Sequence, residues 1–214
     1  VLHGVDLAVE RGEVVAVVGS NGAGKSTAFR TLFGLLDPDA GRVEFDGNDV
    51  TGADPDELLD RGLCYVPQGR STFPEMTVAE NLEMSGYPLD DPADRIERVY
   101  DRFPVLREKR AEKAKTLSGG QQQMLEMAGG LVMEPDLLLL DEPSLGLAPK
   151  IVDRVFDRID ALSAEGASFL LIEQNARRAL EAADRGYVMD GGVVERAGPA
   201  DELLADGVDR TAYW

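Results

Sequence analysis

Cysteine is almost absent from this 214-residue chain, with Cys64 its sole example, so no internal disulfide can form and a reducing compartment is permitted. Set in the apolar run "GLCYVP", Cys64 reads as a small core residue. Lysine is scarce as well, with 5 against 17 arginines, and positive charge is outnumbered to a net −18. A surface of that sign repels phosphate backbones and argues against nucleic acid as a partner. It suits either a salt-rich cytoplasm, where self-repulsion is screened, or an ordinary acidic protein. No apolar run approaches the roughly 18 residues needed to cross a bilayer, and no signal-peptide pattern opens the sequence. The abrupt start at Val1, already in strand-like sequence, reads as a trimmed N-terminus.

What is present is ordinary globular material, 43% apolar and 29% charged, without repeats or low-complexity linkers, so one packed domain is expected. "VDLAVE" alternates like a strand, and "EVVAVVG" is a buried β-branched strand. A helix is expected from Lys25 to Leu36, a hairpin around Asp46-Gly47, and a strand "CYVPQ" stopped by Pro67. The stretch 74–130 turns helical, with Thr77 and Glu80 spaced as a capping box. "DLLLLDEP" and "ASFLLIEQ" are apolar runs of strand length flanking "KIVDRVFDRIDAL", whose Ile151, Val155, Phe156, Ile159 and Leu162 share one helical face. "YVMDGGVVERAG" reads as a late hairpin and a short helix follows it. Strands apolar on both faces, alternating with helices, predict an α/β fold with a mostly parallel sheet flanked by helices.

"GSNGAGKST" matches G-x-x-x-x-G-K-[ST] between a buried strand and a helix, the context that gives the match meaning. Gly19, Ser20, Asn21, Gly22, Ala23 and Gly24 let backbone N–H groups curl around an anion, and the helix start at Lys25, Ser26 and Thr27 adds partial positive charge. Lys25 is expected on the β- and γ-phosphates and Ser26 on Mg²⁺. At the end of "LLLLDEP", Asp141 is the second expected metal residue and Glu142 the group that polarises an attacking water. A further glycine-rich helix start, Leu117, Ser118, Gly119, Gly120 and Gln121, has no Lys-Ser pair beside it. Ser118 and Gln121 could form a capping box, which leaves the two bare glycines unexplained unless something approaches them closely.

These three stretches, in this order, resemble the ATP-binding cassette proteins, and the resemblance covers essentially the whole chain. It implies a P-loop NTPase core with an antiparallel β subdomain and an inserted helical subdomain. One domain, 1–214, would then comprise an ATP-binding core (1–73 and 131–214) and a helical signature subdomain (74–130). It further implies a Mg²⁺-dependent ATPase working as a head-to-tail dimer with a second ABC ATPase subunit. Each ATP would lie between one chain's phosphate loop and the other's Ser118 helix. Transmembrane permease subunits and, indirectly, a solute-binding protein would complete the assembly, with this chain cytoplasmic and peripheral on the inner face of the cell membrane. Gln68 matches the glutamine that touches Mg²⁺ or the water, "STFPEMTVAENL" the segment facing the permease, and "SLGLAP" the loop crossing the dimer interface.

Three departures carry consequences. Gln174 stands where the family usually has a histidine, and an amide cannot take a proton. That implies slow hydrolysis at this chain's own site, or reliance on Glu142 and the partner. Ala148 replaces a frequent aspartate, and the adenine-stacking aromatic is missing upstream. The one histidine, His3, is expected on an exposed strand. "SLGLAP" with "IEQN", and "VPQGRSTFPEMTVAENL" with "RTAY", are most similar to the second ATPase of branched-chain amino-acid importers. Urea and short-amide importer ATPases are the runner-up, and a soluble cassette acting on nucleic acid and a regulatory, weakly hydrolysing cassette are the rival readings. "REKRAEKAK" is expected to be a solvated helix face, Met124, Met127 and Met133 core packing, and Trp214 the cap of an apolar patch.

Overall fold

All five residues of β1 (Val14–Val18) are buried, as β-branched and small side chains in mid-sheet must be. The computed structural model describes residues 1–69 and 71–208. Trp214 and the closing "RTAY" therefore lie outside the described residues. A hairpin, β2 (Glu44–Phe45) and β3 (Asn48–Asp49), forms a separate antiparallel sheet turning at Asp46-Gly47. The main sheet takes β4 (Leu63–Val66), β5 (Leu137–Asp141), β6 (Ser168–Glu173), β7 (Arg185–Asp190) and β8 (Val193–Pro199) in the order β4-β5-β6-β1-β7-β8. Every pairing in it is parallel except β7 with β8.

Alternate residues of each central strand feed opposite layers. Val14, Ala16, Val18, Leu138, Leu140, Phe169 and Leu171 join one apolar cluster; Val15, Val17, Leu139, Leu170 and Ile172 join the other. The second layer is closed by α1 (Lys25–Leu32), through Phe29, and by α2 (Pro55–Asp60), through Leu58. The first is covered by α3 (Val78–Ser85), α4 (Ala93–Arg102), α5 (Pro104–Glu108), α6 (Gly119–Val132), α7 (Pro149–Ala164) and α8 (Ala176–Glu181), with α9 (Ala200–Ala205) beside β8. Each fully buried Phe or Leu contributes about 1.5–3 kcal/mol, so Phe29, Phe156 and Phe169, all wholly buried, anchor both layers. Cys64 is buried and its thiol is pushed up to about 12 by desolvation, as an inert core residue should be.

Several elements differ from expectation for identifiable reasons. The first helix ends at Leu32, not Leu36, because Gly34 takes φ 67° and builds a Schellman stop. In it Leu35 N–H reaches Arg30 O (2.7 Å) and Gly34 N–H reaches Thr31 O (3.2 Å). "VDLAVE" is extended without a ladder. Val5, Leu7 and Val9 pack on the second cluster, while Ala8 N–H donates to the Tyr187 hydroxyl and Ala8 O accepts from Arg185. His3 is exposed in a bend, not a strand. The basic run is α-helical only to Glu108 and ends in a short 3-10 turn (Ala114–Thr116); Lys109 pairs with Glu112 while Lys113 and Lys115 pair with Glu75. Met127 is fully buried and Met124 packs against the same cluster, but Met133 is a half-buried helix cap.

Candidate functional site

The carboxyl ends of parallel strands and the amino ends of the helices that follow them converge on one edge of the sheet, where α/β folds place ligands. The loop after β1 is shaped by glycine. Gly22 (φ 86°) and Gly24 (φ 101°) occupy the left-handed region, and a Cβ at Gly19 would collide with the Met189 carbonyl. Ala23 N–H bonds Ser20 O, Gly192 N–H bonds Ala23 O, and the Ser20 hydroxyl reaches Asp190 (3.2 Å). Asn21 and Gly22 are exposed at the rim, and Lys25 is buried at its floor, 5% exposed. The Lys25 ammonium donates to Gly19 O (2.7 Å) and Ser20 O (3.0 Å), folding back over the loop. Burial pushes its pKa below the ordinary lysine value, against the pull of Glu142, Asp141 and Glu173. Ser26 and Thr27 follow in the first turn of α1, half-buried.

Across from this loop β5 ends in Asp141. Its carboxylate accepts from Ser26 Oγ (3.4 Å) and from the Tyr65 hydroxyl (3.0 Å), and burial raises its pKa despite both bonds. Glu142, buried, sits at φ 52°, a conformation that non-glycine residues adopt at a cost of about 1–3 kcal/mol. The turn aims its carboxylate between two amides. Gln68 Nε2 donates to Oε2 at 2.7 Å, and Gln174 Nε2 donates to both oxygens at 2.9 Å. Lys25, Ser26, Asp141, Glu142, Gln68 and Gln174 thus form one hydrogen-bonded and electrostatically linked group.

Two neighbours of this group lie outside the sequence expectations. Tyr65 is on the β4 face that pairs with Leu139, so the strand reading of "CYVPQ" held a site residue without singling it out. Glu173, 1% exposed, accepts from Ser144 N–H (2.8 Å), Ser144 Oγ (2.8 Å) and Gln174 N–H (3.2 Å). A pocket of about 410 Å³ opens between the 144–149 loop and the start of α8, with Glu142, Ser144, Glu173 and Gln174 on its wall.

Leu117–Gln121 stands apart, and among the described residues no hydrogen bond joins it to the Gly19–Thr27 loop. Gln121 works locally, its Oε1 accepting from Ser118 N–H (3.0 Å). Leu117 is buried in the core; Ser118 and Gly119 are exposed. The bare glycines separate into two cases. A Cβ on Gly120 would collide with the Ile151 side chain of α7, so close packing within the chain already requires that glycine. A Cβ on Gly119 would meet only the tip of Leu147, at 3.2 Å. Gly119 is therefore the glycine that internal packing leaves unexplained.

Residues 2–145 match the family model described as ABC transporter. The chain is 41% identical to the high-affinity branched-chain amino acid transport ATP-binding protein BraG of Pseudomonas aeruginosa, over 99% of this chain and 92% of that protein. Its fold matches the crystal structure of the ADP conformation of an ABC-transporter ATP-binding cassette, with TM-score 0.91, 29% identity, and coverage of 99% of this chain and 90% of that one. It also matches a dimeric, post-hydrolysis ATP-binding cassette bound to ADP and Pi, with TM-score 0.80, 25% identity, and coverage of 93% and 90%.

Proposed function

The chain belongs to the ABC transporter family as one of its ATPases, and we propose that it drives an importer whose solute class is the branched-chain amino acids. The observation that carries the hydrolytic part is the Glu142 carboxylate, held by Gln68 and Gln174 beside a phosphate loop with a buried lysine. ATP binds with its triphosphate in the Gly19–Thr27 loop, where Lys25 exchanges its two carbonyl partners for phosphate oxygens. Glu142 accepts a proton from the water aligned with the γ-phosphorus, and Gln68 and Gln174 orient that water and the carboxylate. Catalysis is positioning and charge neutralisation, not covalent chemistry.

Ser26 and Asp141 fit Mg²⁺: they are hard oxygen donors 3.4 Å apart at the mouth of the loop, one of them a carboxylate, as suits an ion that keeps water and phosphate in its shell. Gln68, hydrogen-bonded to the adjacent Glu142, is the third residue assigned to the ion in this reading. Mg²⁺ there would neutralise phosphate charge.

The partners follow from the same reading. Ser118 and Gly119, exposed at a helix start with no chemistry at hand, close the site of a second ATPase subunit, identical or not, with Leu117, Gly120 and Gln121 as their support. Residues 1–73 and 131–214 form the ATP-binding core, and 74–130 the arm that carries the signature. Permease subunits dock on that arm and a solute-binding protein acts through them, which places the chain in the cytoplasm at the inner face of the membrane. Among the described residues no helix is long and apolar enough to cross it. Urea or short amides are the alternative solute. Gln174 in the histidine position favours one second reading, a weakly hydrolysing cassette paired with a faster one.

The test is Glu142→Gln in steady-state phosphate release and ATP binding. Turnover falls by at least about a hundredfold, as for loss of a general base, while ATP is retained. Undiminished hydrolysis would remove Glu142 from the mechanism.

A further inference from the structure

β6 is a central strand, paired along its length with β1 and β5, and its last residue is a carboxylate. Glu173 lies opposite Val18 in register and is 1% exposed, in a position where an apolar side chain would serve packing alone. Burial raises its pKa, against hydrogen bonds from Ser144, Asn175 and Gln174. A buried charge is kept only where its partners are good, and replacing one with an apolar residue of similar volume is often neutral or stabilising. Packing therefore gives no reason for this glutamate, but its partners do.

Glu173 Oε1 accepts from Ser144 N–H and Oε2 from Ser144 Oγ, each at 2.8 Å, and Oε2 also accepts from Gln174 N–H at 3.2 Å. Ser144 follows Glu142 by two residues, and Gln174 donates its amide back to both Glu142 oxygens. A closed ring results: Glu142 leads along the chain to Ser144, across to Glu173, along to Gln174, and back to Glu142. Ser144 is also where the following loop leaves the core, with Ser144 buried and Leu145 52% exposed.

We infer that Glu173 is a positioning residue that ties the exposed 145–148 loop to Gln174, and through it sets where the Glu142 carboxylate points. The inference rests on the ATPase reading for its functional meaning, but the mechanical link holds whether or not ATP is turned over.

Wild type, Glu173→Gln, Ser144→Ala and the double variant are compared in two assays. Hydrogen exchange of the nucleotide-free chain is read by mass spectrometry on peptides spanning 142–148 and 173–177, and ATP turnover is measured in parallel. Each single variant should speed exchange in both peptides, by about tenfold for loss of a charge-assisted bond. kcat should fall by a similar factor, with the ATP KM within about twofold, and the double variant should be no worse than Glu173→Gln because the two residues act as one unit. Faster exchange confined to the mutated residue's own peptide, or kcat losses that multiply in the double variant, would overturn the inference. Should Glu173→Gln fail to fold, Ser144→Ala, which removes one hydroxyl donor, must still speed exchange at 173–177. A wild-type chain without turnover would count against the ATPase reading instead, leaving exchange to decide the link.

Discussion

Replacing Gly119 by alanine sets stability against function at one atom. Gly119 is the first residue of α6, exposed, and a Cβ there meets only Leu147 Cδ2 at 3.2 Å, the far end of a side chain that can swing aside. Alanine restricts the unfolded chain and favours the helix, a gain of about 0.5–1 kcal/mol, with the low end expected at a helix start. For a chain of this size that is a rise in Tm of about 1–3 °C. If Gly119 is bare because a partner's nucleotide approaches it, the same methyl group should lower cooperative ATP turnover by about tenfold or more. Gly120→Ala is the control. Its Cβ collides with Ile151, a β-branched side chain on α7 that cannot rotate away freely, so overpacking of about 1–3 kcal/mol outweighs the helix gain and Tm falls. Ile151→Ala in the same chain should recover most of that loss. Calorimetry and phosphate release on the four proteins decide the matter. A Gly119→Ala protein that is more stable and fully active would refute the partner-site explanation of the signature glycines.

Lys25→Ala removes the charged donor that gives up Gly19 O and Ser20 O for phosphate oxygens, and because those bonds are exchanged and not added, a net loss worth about one charge-assisted bond, about 1.5–3 kcal/mol, weakens ATP binding by about ten- to a hundredfold. Equilibrium dialysis reads it, and unchanged affinity would contradict the cradle. Burial acts to raise the Glu13 pKa, but the Arg185 guanidinium and Glu10 N–H outweigh it and hold the carboxyl below the ordinary glutamate value. A folded-state pKa below the unfolded one stabilises at pH above the unfolded value, and the contribution is lost as pH falls through the folded one. The Tm gap between wild type and Glu13→Gln should thus be present at neutral pH and close below the ordinary carboxylate range; a constant gap would refute it. The net charge of −18 predicts a Tm that climbs as salt rises from about 10 to 150 mM and the Debye length shrinks from about 30 to 8 Å. A flat or falling Tm would show that surface ion pairs offset the repulsion.

Much of this architecture was legible in the chain because its strands are buried on both faces. Runs such as "VVAVV" and "LLLLD" have no amphipathic alternative, and the loop after the first leaves its glycines little choice. The hairpin at Asp46-Gly47 and the Thr77–Glu80 capping box are local chemistry and form locally. What escaped reading depends on residues far apart in sequence. "VDLAVE" has the alternation of a strand, but its backbone groups at Ala8 are taken by Tyr187 and Arg185, about 180 residues away, and side-chain partners make no ladder. Glu173 went unmarked inside the apolar run "ASFLLIEQ"; the signal that could have exposed it is that no turn residue precedes it, so the carboxylate is drawn into the sheet. The left-handed backbone of Glu142 leaves no composition mark, since only its surroundings hold it there. Gly120 was read as half of a partner site, and Ile151, 31 positions later, supplies its reason at home.

The central claim is that one triphosphate is held by two chains. The direct test is the structure of the Glu142→Gln protein loaded with ATP and Mg²⁺, alone or with its companion ATPase. The account predicts Ser118 Oγ and Gly119 N–H of one chain within about 3 Å of γ-phosphate oxygens bound in the Gly19–Thr27 loop, or its equivalent, of the other. Nucleotide seated in that loop while every Ser118–Gly120 segment faces solvent, with no opposing chain in reach, would contradict it.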